Sequence, residues 1–384
     1  MIRLVLLLVF TFSMSWSRVV PAADRVDAYL PLLQGKKVAL VVNHSSRVGN
    51  KHLVDFLLQK GIKITKIFAP EHGFRGRADA GSHVKNSRDS RTNLPIISLY
   101  GKHKKPTKSD LKGTDILLFD IQDVGVRFYT YLSTLHYVME AGAQNNKPLI
   151  LLDRPNPNGH YIDGPILESK QRSFVGLDPV PLVYGMTIGE YARMLNGEGW
   201  LAKGAKVKLT VIPTAGYRHD TPYSLPIKPS PNLPNDRAIA LYPSLAFFEG
   251  TVFSAGRGTT KPFELYGHPN YRSKKFSFVP KSRVGAKYPK FQNKKCYGID
   301  LSQKSLKDIR AKKQIELSYL QDAYANFPNK KQFFLKNNFM DKLAGTDKLR
   351  KQILSGLSEA KIRASWQRDL DKFRKIRMKY LIYP

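Results

Sequence analysis

Val38-Ala39-Leu40-Val41-Val42-Asn43-His44-Ser45-Ser46, an amphipathic stretch over residues 52–60, and then Ile64-Thr65-Lys66-Ile67-Phe68-Ala69-Pro70-Glu71 read as strand, helix and second strand. Short apolar runs alternating with helical patterns in this way are the signature of βαβ units and a parallel sheet. The pattern repeats outward. Further strands are expected at residues 96–100, 115–120, 149–153 and 207–212, with a helix at 187–196. Another helix is expected at 129–143, where Leu132, Leu135, His136 and Met139 share one face. Beyond Ile212 the texture changes to a stretch holding Pro213, Pro222, Pro226, Pro229, Pro231 and Pro234, which is extended and semi-rigid and reads as a crossing between domains. The expected architecture is α/β: a doubly wound, mostly parallel sheet domain over residues 23–213, then a smaller α+β domain over 214–384. The chain ends in a helical pattern with Ser358 as N-cap and Ile362, Trp366, Leu370 and Phe373 as a core stripe.

In an open parallel sheet, ligands bind at the carboxyl ends of the strands, near the point where strand order reverses. Four expected strands end in polar groups: Asn43-His44-Ser45-Ser46, Pro70-Glu71-His72-Gly73-Phe74-Arg75, Asp120-Ile121-Gln122-Asp123-Val124-Gly125-Val126-Arg127-Phe128-Tyr129, and Asp153-Arg154-Pro155-Asn156. Any one of these residues has a plain structural reading, with Asp153 or Asp123 capping a turn or a helix. Together they deliver amides, carboxylates and arginines to one edge. No G-x-G-x-x-G follows the first strand and no G-x-x-x-x-G-K-S/T occurs, so a dinucleotide or P-loop role lacks its phosphate cradle.

Glycosidic cleavage asks for a carboxylic acid that protonates the departing oxygen and a second group acting on the other face of the sugar. Glu71 is the acid candidate, because it follows a buried strand where desolvation raises a carboxyl pKa; its structural alternative is a salt bridge to Arg75 or Arg77. Asp123 and Asp120 are candidates for the second role, Asp120 equally for a structural one, and an acetamido sugar supplying its own nucleophile is a third route. His44, His72 and His83 lie in nearby loops, but no H-E-x-x-H or H-x-H spacing occurs, so no metal is expected and no cofactor is implied. Gly185-Met186-Thr187-Ile188-Gly189 has no central serine, which removes the nucleophile elbow of an esterase or amidase.

The chain of 384 residues is 42% hydrophobic and 24% charged, a globular composition, with a formal charge of +33. Met1-Ile2-Arg3, the apolar run 4–12 and Val20-Pro21-Ala22 have the layout of a signal peptide over residues 1–22, too short in its core for a membrane span. Export to the periplasm or the cell exterior is expected. An exported cation meets anionic envelope polymers first, and electrostatic association with them is expected. The charge lacks the aromatic interleaving of a single-strand groove, so nucleic acid is not an expected partner. Cys296 is the single cysteine, which excludes an intramolecular disulfide.

The segments Ala69-Pro70-Glu71-His72-Gly73-Phe74-Arg75-Gly76, Asp120 to Tyr131, and Leu152-Asp153-Arg154-Pro155-Asn156-Pro157 resemble signature blocks of the exo-β-N-acetylmuramidase (NamZ) family, formerly a family of unknown function. Tyr184 to Glu190, Ser230-Pro231-Asn232-Leu233-Pro234, Phe248-Glu249-Gly250-Thr251, Gly256-Arg257-Gly258-Thr259, Pro262-Phe263-Glu264 and Ala344-Gly345-Thr346-Asp347 extend the resemblance over nearly the whole chain, in order. It implies a Rossmann-like first domain, a cleft between the two domains, release of N-acetylmuramic acid from the non-reducing end of peptidoglycan fragments, and Glu71 as the family's catalytic glutamate. The lactyl carboxylate of that sugar calls for planar cationic donors, with Arg127, Arg154 and Arg257 as candidates. Asn43, His72, Arg75, Gln122 and Asp153 complete the expected substrate-binding set. Glu249 and Glu264 either bond sugar hydroxyls or pair with arginines. Tyr129 and Tyr131 stack on or bond the sugar, Tyr131 being equally a first-turn packing residue. The alternative to an enzyme is a non-catalytic muropeptide-binding envelope protein with the same cleft.

Overall fold

The structure is a computed structural model that describes residues 18–71, 73–74 and 86–384. Among these, the first domain is built on strands β1 (Lys37–Val42), β2 (Lys63–Ala69), β3 (Ser87–Arg88), β4 (Pro95–Ser98), β5 (Ile116–Asp120), β6 (Leu149–Leu152) and β7 (Leu209–Ile212). They lie in the order β3-β4-β2-β1-β5-β6-β7. All neighbours are parallel except the short edge strand β3, which runs against β4. The chain winds outward from β1 in one direction through β2 and in the other through β5. The order therefore reverses between β1 and β5, and the loops after Val42 and Asp120 open a crevice there.

Period-two alternation splits the sheet residues between two cores. Val38, Leu40, Val42, Leu118, Ile150 and Leu152 pack under α1 (Val26–Leu33) and α2 (Leu53–Gln59). Ala39, Val41, Leu117, Phe119, Leu149 and Leu151 pack under α3 (Tyr131–Gln144) and α4 (Ile188–Gly197). The start of α4 is fixed by a capping box: Thr187 accepts from the Glu190 amide while the Glu190 carboxylate accepts from the Thr187 amide.

The second core does not stop at the domain boundary. It continues through Leu241 and Leu245 of α5 (Asp236–Leu245) to Phe247, Phe248 and Phe253, and on to Leu317, Leu320 and Phe333. The second domain adds the antiparallel strands β8 (Leu265–His268), β9 (Ser277–Phe278) and β10 (Cys296–Asp300), in the order β8-β10-β9, and a set of short helices. Sharing one apolar core seats the two domains on each other over the crevice. The tail returns to the first domain, where the Tyr383 hydroxyl donates to Asp153 at 2.6 Å and the Ile382 amide to Glu190 at 2.8 Å.

The terminal helical pattern is two helices, Glu359–Ala364 and Gln367–Met378. Ser358 caps the first through the Lys361 amide. The break falls at Ser365, whose hydroxyl donates back to the Ile362 carbonyl at 2.6 Å, a bond that competes with helix continuation. Ile362, Trp366, Leu370 and Phe373 are buried across the break. Cys296 is buried, and burial pushes its thiol up to about 12.

At the other end, Val20 exchanges both backbone hydrogen bonds with Ala215 at 2.9 Å, and the Ala22 amide donates to the Asp153 carbonyl at 3.1 Å. Ala22 and Ala23 are fully buried. Among the described residues no helix is long and apolar enough to cross a membrane.

Candidate active site

A cleft of about 1040 Å³ opens at the carboxyl end of the sheet, with one wall from each domain. Glu71 stands on the first wall, just past β2, and is half-buried. Its Oε2 accepts a hydrogen bond from Thr130 Oγ1 at 2.7 Å. Thr130 occupies the N-cap position of α3 yet makes no capping bond, so its hydroxyl serves Glu71 instead of the helix. The Tyr100 hydroxyl, from the loop after β4, also donates to Glu71; burial and then the Glu71 charge hold this phenol above its ordinary range, so it remains a donor. Tyr129 and Tyr131 continue the wall, their rings edge to face at 4.9 Å, with the Tyr129 hydroxyl donating to the Pro229 carbonyl at 2.8 Å.

The second domain contributes Tyr242, Glu249, Arg257 and Phe263. Arg257 Nε donates to Glu249 Oε1 at 2.6 Å, and the guanidinium lies 5.2 Å from the Phe263 ring centroid. Burial pulls the Arg257 pKa down, but the charge and hydrogen bond of Glu249 together with the neighbouring Tyr242 and Glu71 outweigh it, and the net direction is up. Gly256 and Gly258 flank this arginine with φ of +78° and +83°. A Cβ on Gly258 would sit 2.6 Å from Pro289, so these glycines let the loop close on its own wall.

Glu71, Tyr129 and Arg257 therefore share the cleft, and the other described candidates are placed in its frame. Asp123 does not line the cleft. It is buried; its Oδ2 accepts from the Gly125 amide at 2.6 Å and from the Tyr184 hydroxyl, and burial raises its carboxyl to about 6 against those bonds. Tyr131 and Tyr242 lie close enough to both Glu71 and Asp123 to be pushed up by burial and by both charges. Gln122 Nε2 donates to the Asp123 and Pro155 carbonyls at 2.8 and 2.7 Å, tying two strand-end loops together. Asn43 Oδ1 accepts from the Ser45 amide and hydroxyl at 2.9 and 2.6 Å, and its side chain lies against the Tyr131 hydroxyl.

Asp153 is fully buried and accepts from Thr187 Oγ1, the Gly189 amide and Tyr383; burial raises it to about 6. Arg154 grips Asp120 through Nε at 2.5 Å and Nη2 at 2.8 Å. Arg127 is buried without a carboxylate: Nη1 donates to the Pro165 and Val180 carbonyls at 2.9 and 2.7 Å, and Nη2 to Leu343 and Ala344 at 3.1 and 2.7 Å. Burial pulls its pKa down to about 9. Of the three arginines offered for an anion, Arg127 and Arg154 are thus engaged within the protein, and Arg257 alone lines the cleft. Glu264 is buried and pairs with Asn235 at 2.7 Å and Arg237 at 3.4 Å. His72 and Arg75 lie outside the described residues, as do His83 and Arg77. Among the described residues no group of three histidine, cysteine or acidic side chains could hold a metal ion.

Thr130, Tyr100, Tyr242, Lys104 and Phe174 were not among the candidates, yet all line the cleft. Tyr100 carried a usable signal: it ends the strand expected at 96–100, at the same edge as the four polar strand ends. Thr130 lies inside the block from Asp120 to Tyr131, between two tyrosines that were themselves candidates.

Two family models match the chain: "Exo-beta-N-acetylmuramidase NamZ, N-terminal" over residues 38–237 and "Exo-beta-N-acetylmuramidase NamZ, C-terminal" over residues 240–383. A curated relative, "Peptidoglycan beta-N-acetylmuramidase NamZ" of Bacillus subtilis (strain 168), is 41% identical over 380 residues, covering 93% of this chain and 90% of the relative. Two solved structures of DUF1343 family proteins from Bacteroides fragilis superpose closely. One has a TM-score of 0.89 at 49% identity and the other 0.80 at 29%, each covering 96% of this chain and 99% of its counterpart.

Proposed function

Since this chain belongs to the exo-β-N-acetylmuramidase NamZ family, we propose that it is an exo-acting glycoside hydrolase that releases N-acetylmuramic acid from the non-reducing end of peptidoglycan fragments. The observation that carries the reading is the setting of Glu71, a half-buried carboxyl on the cleft wall oriented by Thr130 Oγ1 at 2.7 Å and by Tyr100. Two hydroxyl donors orient the carboxyl group on the cleft wall, positioned to give its proton to a glycosidic oxygen bound in the cleft.

The other cleft-lining carboxylate among the described residues, Glu249, is held by Arg257 at 2.6 Å. That pairing, and the burial of Asp123 behind the wall, favour a route in which the acetamido oxygen of the substrate attacks its own anomeric carbon as Glu71 protonates the leaving oxygen. Arg257 is the group we assign to the lactyl carboxylate, with Glu249 and Phe263 fixing the plane of its guanidinium.

The test compares the purified protein with its Glu71→Gln variant on chromogenic β-glycosides of N-acetylmuramic acid and of N-acetylglucosamine. Release from the first substrate only, reduced by about 10²–10⁴-fold in the variant, is the expected result for loss of a general acid. Binding of the muramic sugar without release by the wild type would replace the enzyme with a muropeptide-binding protein.

We propose export as well, on the apolar N-terminal run, and place the processing cut before Arg18 rather than after Ala22. Ser15 and Ser17 put small residues three and one before that point, and a cut there keeps the Val20 pairing with Ala215. The N-terminal residue of the exported protein, read by mass spectrometry, decides between the two sites. The charge of +33 supports association with anionic envelope polymers, which elution with rising salt would reveal.

A further inference from the structure

We propose that the cleft rim formed by residues 279–290 is a platform for the glycan that emerges beyond the leaving sugar, with Tyr288 stacking on a pyranose and Lys281, Arg283 and Lys287 meeting a carboxylate further along the strand. The proposal rests on the muramidase reading above and extends it to fragment length.

The platform is an ordered turn with its apolar side chains turned outward. Tyr288 is 81% exposed and Val284 76%, the two most exposed large hydrophobic side chains of the described residues. Looseness of the backbone does not account for this. The Gly285 carbonyl accepts from Asn232 Nδ2 at 2.8 Å, and the Lys281 amide donates to the Gly258 carbonyl at 2.8 Å. Arg283 and Ala286 exchange backbone bonds at 3.2 and 2.9 Å, and Lys290 Nζ donates to the Thr251 carbonyl at 2.6 Å. Gly285 sits at φ +85°, where a Cβ would come within 2.5 Å of Pro231. A turn tied down on this many sides holds Tyr288 and Val284 in water by construction, and exposed apolar groups rimmed by charge mark binding surfaces.

Position says what binds. Gly285 to Lys290 form part of the lining of the cleft that holds Glu71, so the platform is continuous with the site. The opposite lip repeats the chemistry: Phe174 has Lys104 over its ring at 5.0 Å, as Tyr288 has Lys287 at 5.4 Å. Aromatic faces suit the apolar C–H face of a sugar ring, and lysines and arginines suit a carboxylate. A peptide-free peptidoglycan strand entered from its muramic end offers both in alternation, a neutral N-acetylglucosamine and then another lactyl carboxylate. The interior of the cleft takes the terminal and leaving sugars, and the rim takes the next sugars of the strand.

The experiment measures kcat/KM of the full protein on the peptide-free disaccharide N-acetylmuramyl-N-acetylglucosamine and on the corresponding tetrasaccharide. Wild type, Tyr288→Ala and the triple variant Lys281→Gln, Arg283→Gln, Lys287→Gln are compared. All four side chains are exposed, so folding is not at risk. The wild type is expected to favour the tetrasaccharide by about tenfold, equivalent to about 1.4 kcal/mol. Each variant should lose most of that preference while its disaccharide rate stays within about twofold of wild type, and the charge-dependent part should fade with salt. Cleavage of the disaccharide with no length preference, or an equal preference in all three proteins, overturns the platform and leaves the muramidase reading standing. Cleavage of neither substrate by the wild type overturns both.

Discussion

Replacing Arg127 with Met separates a ligand-binding arginine from one that holds two domains together. The guanidinium is 1% exposed and donates to four carbonyls, two from the first domain, Pro165 and Val180, and two from the second, Leu343 and Ala344. Met keeps much of the volume and leaves those carbonyls without a donor. Hydrogen bonds from a charged donor are each worth about 1.5–3 kcal/mol net, which summed over four gives an upper limit of about 6–12 kcal/mol. Against that stands the desolvation of an unpaired guanidinium, several kcal/mol, which the variant no longer bears. The difference is a loss of about 3–5 kcal/mol. At about 2.1 cal/mol/K of unfolding entropy per residue, a chain of this length loses about 5 °C in Tm for about 4 kcal/mol. Thermal and urea unfolding read the loss, and Arg127→Lys, which retains the charge but reaches fewer carbonyls, should fall between. KM for a muramic glycoside, measured well below the transition, should stay near wild type. An unchanged midpoint together with a raised KM would refute the reasoning and return Arg127 to the ligand.

Two further outcomes are expected from the same geometry. Thr130→Val removes the 2.7 Å bond to Glu71 without changing side-chain shape, and a hydrogen bond of about 0.5–1.5 kcal/mol to the acid predicts a kcat about 2–10-fold lower with little change in KM; an unaltered kcat would show that Thr130 does not orient the acid. Asp123 is raised to about 6 by burial, so the folded protein holds its proton more tightly than the unfolded chain. That contribution is fully present below about pH 4 and is lost as pH rises through about 6, at about 1.4 kcal/mol per pKa unit, or about 3 kcal/mol in all. Asp123→Asn, measured by urea unfolding at pH 4 and pH 7, should gain about that much on wild type over the interval, and parallel pH profiles would contradict it.

The fold was legible because hydrophobic burial writes itself locally. Val38 to Val42 are apolar without a break, and Ile64, Ile67, Phe68 and Ala69 carry the apolar part of the second strand, because both faces of a parallel sheet are covered, and the spacing between the two runs admits a helix and little else. The edge where chemistry sits was legible for the same reason, since strand ends are set by strands. What stayed hidden was the division of labour at that edge. A strand end in a buried sheet must satisfy backbone groups that the ladder no longer pairs, and the residues able to do so are the ones able to bind a sugar. Gln122, Asp153 and Arg127 carry the right chemistry at the right edge, and their hydrogen bonds are taken by Pro155, Gly189 and Ala344. Those partners come from other loops, and for Arg127 from a residue more than two hundred positions away, so only the folded chain could assign them. Gly345 illustrates the cost of that arrangement. It sits at φ +77°, and a Cβ there would lie 2.4 Å from Arg127 Nη2, so the glycine of the Ala344-Gly345-Thr346 block is needed for the arginine to reach its carbonyls. Sequence blocks of this kind mark a functional edge, but a residue within one can support the cleft as readily as line it, and accessibility to the cleft is what distinguishes Glu71 and Arg257 from Asp123 and Arg127.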